Sequence, residues 1–338
     1  MILTFPSTAE ITHIVRNRVV DPTQFKGNAF CPIVPVYVAK IEYDILAASR
    51  GMTHAHQIGT DPKTANLPGM GTKRIGTGYW KETYRINEQE LLETRSAGSY
   101  NERAGYELVT RHAKSMDDRL ETRIEWLRWQ VPVYGTLEVD EDGVKYTVDY
   151  KIPTSHKIDV SGDNVLKWTN PDSDIMGQIA EMQLLYRGTG AKPRKAYYNA
   201  MTAKTIITNK GFKYLLKSTN YVGLLNIANV GKMLNLINPD IEFELYDEGY
   251  LDKGGTFLPF IPDGRFVMCG DFPGEKMMDF ASTISLHNGG IAKPQPGKFA
   301  IVEDKSSQEK NPYVDLTDGI YGLPRLFHPD WIVTAKVF

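Results

Sequence analysis

The sequence predicts an α+β protein in which one very long helix lies among short strands and long loops. Between residues 100 and 130, apolar residues recur every three or four positions, the spacing of a helix buried on one side. Residues 144–152 alternate between apolar and polar side chains, which predicts a strand. Glycine is dense between residues 51 and 78, which favours an extended loop over a packed core.

For residues 1–50, the sequence predicts an N-terminal arm that lies across other elements. Their short apolar runs are separated by prolines at positions 6, 22, 32 and 35. The segment between Pro32 and Val38 reads as extended chain. Proline cannot donate to a sheet ladder, so we expect this segment at a sheet edge.

For residues 51–98, the sequence predicts a glycine-rich ribbon. Six glycines and two prolines fall between residues 51 and 78, and residues 79–86 then regain the composition of a strand. Long loops inside compact domains are uncommon and usually have a function. We therefore expect residues 51–86 to form a projecting two-stranded loop.

The long helix is predicted to begin after Ser99, which with Glu102 has the spacing of a capping box. We expect Pro132 to end it. With about 30 residues it far exceeds the usual 11–12, and we interpret it as a spine onto which other elements pack. Its predicted core stripe comprises Val109, Ala113, Met116, Leu120, Ile124 and Leu127.

The remainder of the chain predicts alternating strands and shorter helices. Asp142-Gly143 has the composition of a hairpin turn, within a hairpin over residues 135–152. A second helix is expected over 171–188, capped by Asp172 or Ser173. The further expectations are a strand and short helix at 196–210, an amphipathic helix at 222–237 interrupted by Gly231, strands at 241–246 and 265–268 around a loop at 249–264, and a final strand at 331–338.

Composition argues against several classes of protein. The 39 basic and 41 acidic residues give a net charge of −2, so the chain lacks the basic excess typical of DNA-binding proteins. Cys31 and Cys269 are far apart and form no metal motif; two reduced thiols are favoured over a disulfide. We expect no signal peptide and no membrane span.

Motifs for catalysis or cofactor binding are incomplete. The glycines at 69, 71, 76 and 78 do not extend to a nucleotide-binding motif. His54 and His56 have no obvious third metal ligand. We therefore expect no catalytic residues, no cofactor and no metal.

One basic and aromatic cluster remains. Either nucleic acid or another protein chain would suit such side chains, because aromatics and arginine are enriched at protein interfaces. We favour an intersubunit contact. The residues are Gly69, Gly71, Lys73, Arg74, Tyr79, Trp80 and Lys81.

The order of elements resembles the lambda-type major capsid protein family of tailed phages (capsid protein E). The resemblance covers most of the chain and rests on an ordered set of segments rather than on one motif. These are Gly78–Lys81, Glu121–Leu127 leading into Tyr134-Gly135, Tyr146–Tyr150, Asp174-Ile175, Phe257–Pro259 with Ile261–Met268, and His328–Val333.

The resemblance implies a Hong Kong 97-like capsid fold and a role as a shell protein. It implies an N-arm (1–50), an E-loop (51–98), a peripheral domain with the spine helix (99–195), an axial domain (196–320) and a C-terminal strand returning to the peripheral domain (321–338). The expected partners are further copies in hexamers and pentamers, portal and scaffold proteins, a decoration protein and nonspecifically held double-stranded DNA, within a virion assembled in the host cytoplasm.

Two other functions stay open from the residues alone. An encapsulin-type nanocompartment shell protein would share the same architecture. An enzyme with an atypical loop would need a set of convergent titratable groups, and the sequence offers none.

Overall fold

The long helix is the axis of the fold in the computed structural model, which describes residues 5–46, 70–87, 89–90, 101–141, 143–217, 225–288, 290–305 and 312–338. The spine helix α2 spans Asn101–Tyr134, 34 residues, and is about 50 Å long at 1.5 Å per residue. The expected capping residue Ser99 lies outside the described residues.

The expectation that Pro132 ends this helix is wrong. Pro132 lies inside the last turn, where it removes only one backbone hydrogen bond. The helix ends instead at Gly135, whose φ of +70° is a conformation that other residues rarely adopt. The Gly135 amide still donates to the Val131 carbonyl at 2.8 Å.

A five-stranded sheet, here the long-strand sheet, crosses the first half of α2. It consists of β1 (Ile33–Pro35), β4 (Tyr79–Asn87), β13 (Met278–Ser282), β16 (Phe299–Asp304) and β17 (Tyr313–Leu326). Strand β17 is central: β4 and β16 flank its first part, and β13 pairs with its end. The predicted position of residues 32–38 at a sheet edge is confirmed, because β1 pairs only with β13 among the described strands.

The partner of Tyr79–Asn87 differs from the ribbon that the sequence predicts. Its nine residues pair antiparallel with β17, from Tyr313 to Tyr321. A ribbon is formed instead by β2 (Ile41–Leu46) and β3 (Met70–Ile75). The long ladder with β17 lets Ile86 enter the core beside α2. A projecting loop would leave Ile86 in solvent.

A second five-stranded sheet, here the crossover sheet, contains β7 (Lys157–Asp159), β18 (Ile332–Lys336), β12 (Arg265–Asp271), β8 (Lys192–Tyr198) and β9 (Glu242–Leu245) in that order. Four helices accompany it: α3 (Ile175–Leu184), α4 (Ala200–Thr208), α5 (Lys210–Lys217) and α6 (Val230–Ile237). The chain between the parallel neighbours β8 and β9 contains α4, α5 and α6.

The two faces of the crossover sheet have different partners. The Tyr197 ring lies 5.0 Å from that of Trp129 on the spine helix. The next residue, Tyr198, stacks on Phe266, and its hydroxyl lies against Gly231 of α6. Because successive side chains of a strand point to opposite faces, the spine helix covers one face and α6 the other.

Two hairpins project from these layers. The predicted hairpin after the spine helix is confirmed as β5 (Thr136–Glu141) and β6 (Val144–Asp149), and Gly143 has a φ of +83°. The loop predicted at 249–264 contains a second hairpin, β10 (Gly249–Leu251) and β11 (Phe257–Pro259). Two short strands, β14 (Ile284–Ser285) and β15 (Gln295–Pro296), pair antiparallel over two residues.

Three local details differ from the sequence expectations. The N-terminal arm includes a helix, α1 (Thr8–Arg16), with a capping box of Ser7 and Glu10. Helix α3 is capped by Asp174 rather than by Asp172 or Ser173. Gly231 does not interrupt α6; it lets the helix approach β9, since a Cβ there would lie 2.3 Å from the Phe243 carbonyl oxygen.

The sheets do not follow the domain limits expected from the sequence. The expected limit after residue 195 falls within β8, and that after residue 320 falls within β17. Strand β18, expected in the peripheral domain, pairs with β12 and β7.

Candidate assembly surfaces

The predicted core stripe of the spine helix is buried in two separate cores. Val109, Ala113 and Met116 belong to a small apolar cluster with α1 and the long-strand sheet. Leu120, Ile124 and Leu127 belong to the large cluster that includes the crossover sheet. The first half of the spine helix therefore packs against the long-strand sheet, and its second half packs in a core to which both sheets contribute.

A buried ion-pair cluster, here the Glu125 cluster, fixes the N-terminal arm to the spine helix. Glu125 Oε1 accepts hydrogen bonds from the Gly27 amide at 2.7 Å, the Trp129 indole at 2.7 Å and the Tyr246 hydroxyl at 2.9 Å. Its second oxygen lies 3.3 Å from Arg128 Nη1. Both charged side chains are almost fully buried.

The arm contributes further contacts around this cluster. Arg128 Nη2 donates to Asn28 Oδ1 at 3.0 Å. The Tyr246 hydroxyl has a single proton, which it shares between Glu125 Oε1 and the Gln24 carbonyl oxygen, 2.8 Å away. Lys26 pairs with Glu244 of β9 at 2.6 Å. Residues 24–28 thereby bridge the spine helix and the crossover sheet.

A second buried cluster, here the carboxylate cluster, lies one turn earlier on the spine helix. Lys298 Nζ lies 2.6 Å from Asp117 Oδ1 and also pairs with Glu121. Asp318 of β17 completes the cluster, and Arg18 reaches Asp117 from the half-buried rim at 3.2 Å. The buried part thus holds three carboxyl groups and one ammonium.

Burial and the surplus of acid change the protonation of this cluster. Burial raises the pKa of Asp318 to about 7, and the neighbouring Asp117 adds to the rise. Burial also raises the pKa of Asp117, although Lys298 opposes it. For Lys298, burial alone would lower the pKa, but Glu121 and Asp117 outweigh it and the pKa is raised.

The predicted contact residues do not share one environment. Gly71, Arg74, Tyr79 and Lys81 are exposed. Lys73 is half-buried, donates to the Asp149 carbonyl and lies 5.0 Å from the Tyr150 ring centre. Gly69 lies outside the described residues.

Trp80 belongs to a cluster within the subunit. Its indole donates to the Gly322 carbonyl at 3.1 Å. The Arg123 guanidinium lies 5.3 Å from the ring of Trp80 and 5.2 Å from that of Trp126, and pairs with Glu141 in a two-point contact. Arg123 and Glu141 are far from Trp80 in sequence, so sequence reasoning missed this link.

Among the described residues, no group of three or more His, Cys, Asp and Glu side chains is placed to hold a metal ion. Cys31 and Cys269 are both buried and free. No helix in the described ranges is long and apolar enough to cross a membrane. His54 and His56 lie outside those ranges.

Comparison with known structures shows a capsid fold along nearly the whole chain. A protein of an Escherichia coli CFT073 prophage, assigned as its capsid protein, has a TM-score of 0.68 at 15% identity, over 99% of this chain and 100% of the other. A phage-related protein from Bordetella bronchiseptica RB50 has a TM-score of 0.60 at 11% identity, over 97% and 96%. The capsid structure of cyanophage P-SCSP1u has a TM-score of 0.54 at 8% identity, over 95% and 90%.

These identities are too low to show more than the fold. The chain has no match among curated proteins. The family model described as "Phage major capsid protein E", however, matches residues 7–285, most of the chain. The chain thus has the tailed-phage major capsid fold and belongs to the phage major capsid protein E family.

Proposed function

We propose that the chain assembles into hexamers and pentamers that form an icosahedral head shell around double-stranded DNA. The observation that carries the proposal is membership of a capsid family, combined with a rigid spine helix whose two ends pack in different cores. Shell proteins need extended contacts between copies. A spine helix that fixes two sheets within one subunit would hold the contacting surfaces of that subunit at a constant spacing.

Sedimentation and negative-stain microscopy of the purified chain, with and without co-expressed head proteins, test this proposal. We expect rings or closed shells. A chain that stays monomeric under every condition, including in material recovered from virions, would contradict it.

The domain roles are part of the proposal. We assign the N-arm to residues 1–50, the E-loop to 51–98, the peripheral domain to 99–195, the axial domain to 196–320 and the returning strand to 321–338. The pairing of β17 with β4 suggests that the peripheral domain also includes both of these strands. The crossover sheet, with its helical layer, is the best candidate for the axial domain, and on that assignment β7 and β18 would belong to the axial rather than to the peripheral domain.

The E-loop is proposed to contact a neighbouring subunit through Gly69, Gly71, Lys73, Arg74, Tyr79, Trp80 and Lys81. The exposed members are the stronger candidates. A deletion test must spare Met70–Ile75, because Ile75 is buried and Lys73 is docked on its own subunit. Removing residues 51–68 should leave a folded chain that no longer forms shells; normal shells would contradict the E-loop assignment.

Further partners follow from the capsid role. We propose contacts with portal and scaffold proteins, and with a decoration protein on the outer surface. The net charge of −2 favours weak, nonspecific contact with packaged DNA, since counterion release drives nonspecific affinity. Tight or sequence-selective binding of duplex DNA at about 150 mM salt would contradict this part.

We propose that the chain acts without catalysis, within a virion assembled in the host cytoplasm. The family is that of a structural protein. An encapsulin-type nanocompartment is the weaker alternative, because the matching family model is that of phage capsids. DNA in purified particles would support the head shell, and an enzyme cargo would support the nanocompartment.

A further inference from the structure

Charge is strongly segregated along this nearly neutral chain. Residues 182–239 contain nine basic residues and no aspartate or glutamate. The rest of the chain carries the other 30 basic residues and all 41 acidic ones, a net charge of −11. The basic segment begins in the last turn of α3 and ends just after α6, so it supplies three of the four helices that accompany the crossover sheet.

Three of the nine basic residues lie on one outward side of α5. Lys210, Lys213, Tyr214 and Lys217 are spaced as i, i+3, i+4 and i+7, which places them on one side of a helix. Phe212 and Leu216 anchor the opposite side in the core. All four side chains of the outward side are exposed, with Tyr214 at 77%.

Most of the α5 charges have no counter-ion among the residues that the structure describes. Lys210 pairs with Asp172 at 2.8 Å. No described carboxylate pairs with Lys213 or Lys217, nor with the exposed Lys204 of α4 or Lys232 of α6. We call the exposed side of α5 formed by Lys210, Lys213, Tyr214 and Lys217 the basic face; Lys204 and Lys232 are further exposed lysines of the same helical layer.

The surroundings of the basic face favour a protein partner over nucleic acid. Met201 and Leu236, on α4 and α6, are exposed large apolar side chains within the same helical layer. Surfaces that bind DNA are more polar and much more positively charged than those that bind protein, whereas tyrosine and methionine are enriched in protein interfaces. A partner should therefore combine acidic groups with apolar side chains.

The chain itself carries such a surface immediately after the basic segment. Residues 240–252 contain six acidic residues and no basic one. Asp240 and Glu248 are exposed and have no ion pair among the described residues. The hairpin of β10 and β11 then exposes the cross-strand pair Leu251 and Phe257, with Leu251 at 68%. We call Asp240, Glu248, Leu251 and Phe257 the acidic hairpin surface.

The hairpin lies on the other side of the subunit from α6. Its Tyr250 contacts Trp126 of the spine helix, which covers the opposite face of the crossover sheet from α6. Asp252 keeps the turn rigid by accepting hydrogen bonds from the amides of Gly254 and Thr256, each at 2.8 Å. Two different complementary surfaces on one chain are what a head-to-tail contact requires, and such contacts close into rings when the rotation permits.

We propose that the basic face of one copy binds the acidic hairpin surface of a neighbouring copy, as the charge-complementary contact within a capsomer ring. This inference rests on the proposed self-assembly and names the surfaces that carry it. Complementary charge would steer the encounter and fix the orientation of the copies, and the apolar side chains would supply the buried area.

The test is a charge reversal with a compensating reversal. Lys213→Glu with Lys217→Glu should reduce the yield of rings or shells at least tenfold in sedimentation. Adding Asp240→Lys and Glu248→Lys to the same chain should restore much of the yield. Lys276→Glu with Lys293→Glu is a matched control: both lysines are exposed and lie outside the basic segment, so assembly should persist.

All the substituted side chains are exposed, so each unassembled variant should keep the thermal midpoint of the wild type. Measuring that midpoint checks that the variants are folded. If the wild type assembles and the Lys213 and Lys217 variant assembles equally, the inference is overturned, while the capsid role stands. Equal loss in the control, or no recovery in the compensated chain, also overturns it. Normal assembly with reduced retention of duplex DNA would assign the basic face to nucleic acid. A wild type that never assembles would refute the proposed function instead.

Discussion

The spine helix buries two charged clusters one turn apart, and they differ in how completely their charges are compensated. In the Glu125 cluster, one carboxylate accepts three hydrogen bonds and pairs with one arginine. In the carboxylate cluster, three carboxyl groups share one buried lysine, and Asp318 Oδ2 has no hydrogen-bond partner in the described part of the chain. The Glu125 cluster links the N-terminal arm to the spine helix with a constant charge, whereas the carboxylate cluster can change its charge near neutral pH.

The difference indicates that burial alone does not determine what a charged group does. In the Glu125 cluster the opposite charges match, although Arg128 Nε has no hydrogen-bond partner among the described residues. Removing one member of such a buried pair is strongly destabilising, because it leaves the other charge uncompensated. A surplus of buried acid is already unfavourable while it is ionised, and protonation relieves it. The two clusters should therefore respond in opposite ways to loss of a negative charge.

The largest effect is expected at the Glu125 cluster. Glu125→Gln should lower the free energy of unfolding by about 3–5 kcal/mol, because it leaves Arg128 buried without a compensating charge. Urea unfolding of the unassembled chain would measure the change. Glu138→Gln, at an exposed position of β5, serves as the control and should change the stability by less than about 0.5 kcal/mol.

A loss below about 1 kcal/mol for Glu125→Gln would indicate that the Arg128 charge is solvated or compensated elsewhere. The Glu125 cluster would then not be what holds the N-terminal arm to the spine helix. Replacement of both residues by apolar side chains sharpens the point. That double variant should recover part of the lost stability, because buried pairs are often replaceable as a unit.

The apolar side chain that precedes Glu121 on the spine helix gives a reference for the energies of both clusters. Leu120→Ala should cost on the order of 2–5 kcal/mol through lost burial and the remaining cavity. This loss should not vary with pH, unlike that of a charged neighbour. Melting curves at pH 5 and pH 8 would measure it, and a change below about 0.5 kcal/mol would mean that the stripe is not packed as described.

The apolar positions illustrate what the sequence could predict. The stripe from Val109 to Leu127 follows from helical spacing alone, and all six of its residues are buried. The hairpin over 136–149 follows from alternation and a turn pair. These patterns are local, so they can be read without knowing what they pack against.

The charged clusters could not be predicted in this way. Asp117, Glu121 and Glu125 look like ordinary surface residues of a charged helix, and their partners Gly27, Tyr246, Lys298 and Asp318 are distant in sequence. The pairing of β4 with β17 is nonlocal for the same reason. The net charge concealed the segregation of residues 182–239, because acidic segments elsewhere cancel it.

The carboxylate cluster gives a prediction that depends on pH. The pKa of Asp318 is about 7 in the folded chain and about 3.9 when unfolded. Because the folded value is raised, Asp318 favours folding at low pH, and that contribution is lost as the pH rises through about 4 to 7. Asp318→Asn mimics the protonated group, so it should add about 1–3 kcal/mol at pH 8, because a tenfold change in a protonation equilibrium corresponds to about 1.4 kcal/mol.

Unfolding at a series of pH values would measure this difference between Asp318→Asn and the wild type. The two should converge near pH 4, where the wild-type carboxyl group is protonated. An Asn variant that is equally or less stable at pH 8 would show that the wild-type carboxylate is compensated when ionised. Asp315→Asn is a matched control on the same strand, because the Arg85 pair lowers the pKa of Asp315 and its charge should stabilise the fold.

The smallest effect is expected at the rim of the carboxylate cluster, where Arg18 meets Asp117 at 3.2 Å and also pairs with Asp118. Arg18 is partly exposed, so water and salt screen its attraction, and exposed pairs are typically worth about 0.2–1 kcal/mol. Arg18→Gln should therefore lower the stability by less than about 1 kcal/mol at pH 8. About 1 M salt should remove most of that loss, since the screening length falls to about 3 Å, whereas the loss in Glu125→Gln should persist. A larger, salt-insensitive loss for Arg18→Gln would mean that Arg18 is a structural member of the cluster, and the contrast between a compensated and an acid-rich cluster would then disappear.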